Sequence, residues 1–126
     1  MTAEKIKTRV DQLNQFLSSG KIMEALDEFY ANDTIMAENN EAGTKGLAEN
    51  KKREEQLLAG MEWQEARLVN VTVNEDTKTS MSEWYYVYTN KADNKTYAYT
   101  QVSIQKWEND KIKEERYIYN PQVKKN

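Results

Sequence analysis

The sequence contains no cysteine and no histidine, a single proline and only four glycines. Without cysteine the chain has no disulfide, no thiolate nucleophile and no cysteine-ligated metal. Without histidine it loses the Ser-His and Cys-His catalytic pairs and every imidazole metal site. A side chain that exchanges protons near neutral pH must then be a carboxylate, a lysine or a tyrosine moved from its ordinary pKa by its surroundings, the terminal amine apart. Long apolar runs are also missing. The opening MTAEKIKTRVDQLNQ mixes charges with spaced apolar residues, so neither a signal peptide nor a membrane span is expected and the protein reads as cytoplasmic. Basic charge is in deficit: 18 Lys and Arg face 21 Asp and Glu, for a net charge of −3. Nothing basic clusters, which argues against a nucleic-acid partner. No Gly-rich phosphate loop, calcium-spaced acidic cluster or dinucleotide fingerprint occurs, so no cofactor and no metal are expected.

What the chain does have is 126 residues, 38% of them apolar, with eight tyrosines and three tryptophans, enough for one modest core and one domain over 1–126 with an ordered part of about 3–120. Ile6, Val10, Leu13 and Leu17 recur at helical spacing, with Phe16 widening the stripe, and predict an amphipathic helix over residues 3 to 18 that Gly20 ends. Ile22, Met23, Leu26, Phe29 and Tyr30 predict a second, short helix close behind it. Asn32 and Asp33 break that pattern. Thr34 to Glu38 then reads as a brief strand before a turn-rich stretch, Asn39 to Gly46. Residues 46 to 59 favour a third helix with one apolar edge, Leu47, Leu57 and Leu58. Its run Glu49 to Glu55 balances its charges and reads as a solvated helix face carrying a Lys51 to Glu55 pair.

After Gly60 the spacing changes. Trp63 to Val73, Thr79 to Thr89, Thr96 to Trp107 and Ile112 to Tyr119 alternate β-branched or aromatic residues with polar ones, joined by short turn-forming links. Four strands in an antiparallel meander follow, each of the longer ones spanning roughly 35 Å. A twisted sheet of that length buries one face best by curling around the preceding helices. The fold class is α+β, with helices in the concavity of a strongly curved, mainly antiparallel sheet. Pro121 stands after the last strand, where the chain is expected to fray.

The order helix, helix, short strand, helix, curved meander resembles the SnoaL-like members of the nuclear transport factor two-like superfamily. Leu26-Asp27-Glu28-Phe29-Tyr30-Ala31-Asn32-Asp33-Thr34-Ile35-Met36 is similar to the family's junction into its first strand, and Gly46-Leu47-Ala48-Glu49 to the opening of its third helix. Trp107 to Tyr119 is similar to its last hairpin. The resemblance implies a cone with a small-molecule pocket between helices and sheet, and dimerisation through the outer sheet face. It implies no single activity, because isomerases, cyclases, dehydratases, epoxide hydrolases and non-catalytic proteins share the fold.

Glu38 ends the short strand where the similar ketosteroid isomerases place a general base, and a carboxylate in an apolar cone has the raised pKa such a base needs. The alternative is a solvated strand-end glutamate. The tyrosine and aspartate with which those isomerases hold an enolate oxygen align here with Leu13 and with Ser103 or Gln101. Trp84, Tyr86 and Tyr88 share one side of their strand, and Tyr97, Tyr99, Gln101 and Ser103 one side of theirs. If these sides are concave, Trp84, Tyr86, Tyr99, Gln101 and Ser103 line a pocket for a small apolar or aromatic molecule; if convex, they suit an interface. Glu115, with Tyr117 and Tyr119 on the same face, is the candidate second carboxylate, and a solvated glutamate beside an Arg116 ion pair is its alternative. The expected function is small-molecule binding with proton transfer of the isomerase, cyclase or dehydratase type. A non-catalytic dimeric association module with a filled cone is the rival.

Overall fold

In the computed structural model, residues 1–120 are described, and Pro121 with the tail lies outside them. Helix α1 is Ala3–Ser18, started by Thr2, whose hydroxyl accepts a hydrogen bond from the Lys5 amide at 3.2 Å. Helix α2 is Ile22–Phe29 and α3 is Leu47–Ala59. The strands are β1 Tyr30–Glu38, β2 Thr44–Lys45, β3 Met61–Asn74, β4 Thr79–Asn90, β5 Lys95–Glu108 and β6 Lys111–Tyr119. They form one sheet in the order β2-β1-β6-β5-β4-β3, antiparallel throughout except for the parallel pairing of β1 with β6. Three helices and the expected four-strand meander are all present, and the class is α+β.

The meander strands extend one or two residues beyond the ends the sequence reading gave them, and the region around β1 differs more. Tyr30 opens β1 instead of closing α2, because its backbone turns extended there and pairs with Ile112; its helical spacing from Leu26 is equally satisfied, and the strand partner decides. Asn32 and Asp33 lie within β1, in a register irregularity between Tyr30 and Ile35, and do not precede it. The stretch Asn39 to Gly46, read as turns, also contains the two-residue β2.

The core packs Ile6, Val10 and Leu13 of α1 and Leu26 and Phe29 of α2 against Met36, Trp107 and Ile112 of the sheet. Buried Asn14 donates to Ser82 Oγ at 2.9 Å, which ties α1 to the floor of β4. These contacts fill the narrow end of the sheet's curve. The aromatic half of the concave face is left facing α3 and the ends of α1 and α2. Among the described residues no helix is long and apolar enough to cross a membrane.

Candidate functional site

Strand register sets the site. Pairing of β4 with β5 brings Trp84 opposite Gln101, Tyr86 opposite Tyr99 and Tyr88 opposite Tyr97; pairing of β5 with β6 adds Tyr119 to the first row, and Tyr117 opposite Ser103. Side chains in one row share one face, and here that face is concave. It encloses, with the helices, a cavity of about 690 Å³ lined by seven of the eight tyrosines and two of the three tryptophans. Tyr85 faces the other way, where the Arg67 guanidinium stands 5.1 Å from its ring centre. The alternative of tyrosines on the convex side does not describe this sheet.

The rings form a continuous wall. Trp84 stacks on Tyr86 at 5.6 Å, Tyr86 meets Trp63 at 5.1 Å and Tyr99 at 5.5 Å, and Tyr99 meets Tyr119 at 5.6 Å. Burial pushes the Tyr86 and Tyr99 hydroxyls well above their usual range and Tyr119 up to about 12. These phenols therefore keep their protons at neutral pH. Trp84 is fully buried, and its indole Nε1–H has no partner among the described residues.

Glu115 is buried at the deep end. Its carboxylate accepts hydrogen bonds from the Tyr30 hydroxyl, from Tyr117 at 2.5 Å and from Gln105 Nε2 at 2.7 Å. The polarity of this network is set from outside. Trp107 Nε1 can only donate, and does so to Ser80 Oγ at 2.8 Å; Ser80 then gives its hydrogen to Gln105 Oε1 at 2.7 Å, which turns the Gln105 amide nitrogen towards Glu115. Burial raises the Glu115 pKa and the three donors oppose that rise. The arrangement suits a fixed buried anion more than a mobile proton carrier.

At the wide end, Glu38 forms an ion pair with Arg53 at 3.0 Å and receives a hydrogen bond from Tyr119. Next to Arg53 on α3, Glu54 also lines the cavity. Burial pushes its pKa up to about 7; Arg53 opposes the rise, and the negative charges of Glu115 and Glu38 add to it. Among the described residues no hydrogen bond or ion pair is made by the Glu54 carboxylate, and no group of three acidic side chains is arranged to hold a metal.

The cavity thus brings together all the residues singled out in the sequence: Glu38 and Glu115, Trp84, Tyr86 and Tyr99, Gln101 with Ser103, and Tyr117. Gln101 Nε2 donates to Ser103 Oγ at 3.1 Å. Leu13, aligned with a catalytic tyrosine of similar isomerases, is fully buried in the core and offers no donor. Arg53, Glu54 and Tyr30 were not anticipated. Residues 49–55 are not a wholly solvated face, since Arg53 and Glu54 turn inward, and Lys51 pairs with Asp27 at 2.6 Å and not with Glu55. A usable signal existed: Glu54 stands three and four residues before Leu57 and Leu58, on the helix's apolar edge.

No protein-family model matches the sequence, and no curated protein aligns with it. Solved structures do resemble it. A protein assigned as a SnoaL-like polyketide cyclase from Mesorhizobium loti superposes with a TM-score of 0.81 at 20% identity, covering 89% of this chain and 97% of that one. An assigned isomerase from Bacillus subtilis gives 0.76 at 12% identity over 94% and 88% of the two chains. An LEH-like epoxide hydrolase of M. tuberculosis gives 0.74 at 8% identity over 94% and 84%. With the element order and the cone already described, these likenesses show that the chain has the α+β cone fold of SnoaL-like proteins.

Proposed function

We propose that the cone binds a small, partly apolar or aromatic molecule and that a cavity carboxylate moves a proton on it, in cofactor-independent chemistry of the isomerase, cyclase or dehydratase type. The observation that carries this reading is Glu54, a carboxyl group with no hydrogen bond or ion pair among the described residues that lines an aromatic cavity, where burial pushes its pKa up to about 7. Such a group is part ionised at neutral pH, where it can take a proton and return it with little penalty either way. Around it, burial keeps the phenols of Tyr86 and Tyr99 protonated. These are donors for a carbonyl oxygen that gains charge when a neighbouring C–H is ionised. In this reading Glu38, the base expected from sequence, keeps the Arg53 guanidinium engaged, and Glu115, held in place by Tyr30, Tyr117 and Gln105, adds to the rise of the Glu54 pKa. The names of the similar structures, cyclase, isomerase and epoxide hydrolase, support a small molecule as the occupant.

The test is hydrogen–deuterium exchange at carbon, followed by NMR, across a panel of enolisable ketones with the purified protein. Glu54→Gln is expected to lower the exchange rate by about 10²-fold or more, and Glu38→Gln by less. Exchange that is equal in wild type and Glu54→Gln but lost in Glu38→Gln would return the base to Glu38. Exchange no faster than in buffer would leave a binding protein without this chemistry.

A second feature favours self-association. On the convex face, Met81 is paired with Ile104 and Val102 with Ile118, and Met81 and Ile118 are 40% and 42% exposed. We read this patch as the contact of a homodimer through the sheet face, compatible with an accessible cavity on the other side.

A further inference from the structure

The charge of the ligand can be read from what faces it. Four ionisable acids and bases other than phenols line the cavity: Glu38, Glu54, Glu115 and Arg53. Arg53, their one cation, is engaged by Glu38 at 3.0 Å, so three carboxyl groups face the cavity against a single cation that already has a partner. An anionic ligand would meet two carboxylates and no free positive group. The aromatic wall has the same preference, because ring faces carry partial negative charge and attract cations. The protein's own cations stand over other rings: Arg9 over Phe29 at 4.4 Å, Lys21 over Phe16 at 6.0 Å and Arg67 over Tyr85. None of those three rings lines the cavity. Among the described residues, the faces of the wall are thus not occupied by lysine or arginine.

We propose that the cavity is a site for an organic cation, an ammonium or quaternary ammonium group on an apolar or aromatic body, held between the aromatic wall and the Glu54 carboxylate. The inference rests on the reading of the cavity as a ligand site and adds the ligand's charge. Glu115 contributes at a distance, since Tyr30, Tyr117 and Gln105 already occupy its oxygens. Glu54 is the direct partner, because it makes no other ion pair or hydrogen bond among the described residues. A cation beside it favours its ionised form. At pH 7 the protonated fraction of Glu54 is therefore displaced as the cation enters: the carboxylic acid gives its proton to buffer and the carboxylate pairs with the ligand.

The experiment is a titration of the full chain with 4-hydroxyphenyltrimethylammonium and with its neutral carbon isostere, 4-tert-butylphenol, which has the same shape and hydroxyl. Binding is followed by the indole N–H resonance of Trp84, and proton release by calorimetry in two buffers of different ionisation enthalpy. The cation is expected to bind at least about tenfold more tightly than the isostere, to release protons at pH 7, and to lose most of its advantage in Glu54→Gln. Equal or tighter binding of the isostere, with Trp84 shifted, would overturn the inference while leaving a ligand site for neutral molecules. A Trp84 resonance moved by neither compound would overturn both readings. Preserved cation preference in Glu54→Gln would remove Glu54 as the partner and overturn the proposal in the form given.

Discussion

Half-buried Glu54 and fully buried Glu115 are both carboxylates with raised pKa values, yet their neighbours make them opposites. Glu54 faces Arg53 on its own helix, Glu38 and Tyr30 on β1, Tyr86 and Tyr99 on β4 and β5, and Glu115 and Tyr117 on β6. Its ionised form is disfavoured by burial and by two like charges, so ionising it weakens the fold. Between about 4.5, its ordinary value, and about 7, its value here, the folded protein holds a proton that the unfolded chain has released. Stability from this group is therefore greatest at the acid end of that window, falls as pH rises through it, and is constant above it. Glu54→Gln is expected to flatten this slope and to stabilise the protein by about 2 kcal/mol at pH 8, the full shift being reduced by partial exposure. Glu115→Gln should do the reverse. Gln105 presents its amide nitrogen to Glu115, and a second amide there would either oppose one N–H to another or disturb Tyr30 and Tyr117, for a loss of about 2 kcal/mol. Urea unfolding of both variants between pH 4.5 and 8 measures the contrast; a destabilised Glu54→Gln at pH 8 would contradict it.

Among the elements, β1 depends on one glycine more than its length suggests. Gly43 has φ +93°, and a Cβ there would stand 2.8 Å from the Met36 carbonyl oxygen and 2.9 Å from Ala37 Cβ. Both neighbours belong to the strand that carries Glu38. Gly20 has φ +76° but open space around it. Gly43→Ala should therefore cost about 2 kcal/mol or more and Gly20→Ala about 1 kcal/mol, measured by thermal or urea unfolding. Equal losses would show that backbone conformation alone, without the clash, sets the cost. The elements themselves were legible because each carries its own periodicity: Ile6, Val10 and Leu13 at helical spacing, and alternation from Thr79 to Trp107. The concave side of the sheet was not legible, because Tyr85, Val87, Ala98 and Val102 make the opposite face apolar too; the packing of helices against the Trp84 side decides it. Tyr30 was hidden by a spacing that suits helix and strand alike. Glu54 was hidden in a charge-balanced run, and only the seating of α3 over the cone turns it inward. Glu38 and Glu115 were found through strand position, but which acid stands free of partners depends on Arg53, Tyr119 and Gln105, contacts made between different elements only once they are assembled.

For the whole molecule, the proposed dimer contact turns on which surface of the curved sheet is open to a second copy. Strand β3 ends the sheet, but it has register irregularities between Trp63 and Glu65 and between Leu68 and Asn70, and it exposes Glu62, Glu65 and Arg67. Such bulges and charges discourage strand addition at an edge. On the convex face Met81, Ile104, Val102 and Ile118 run across β4, β5 and β6, and Glu83 and Arg116 share their two rows as charges of opposite sign. A two-fold contact of this patch with its own copy buries the same residues from both partners, as an isologous dimer requires. Sedimentation at micromolar concentration is expected to give a dimer, and the double variant Met81→Lys with Ile118→Lys a folded monomer. Because the cavity lies on the other side of the sheet, that monomer should still bind the cationic probe with the wild-type affinity within about threefold, a range small beside the tenfold that marks one significant contact. A wild type that sediments as a monomer would remove the interface. A double variant that is monomeric but has also lost the probe would show that the curvature enclosing the cavity is maintained by the partner, and that the two faces are mechanically one.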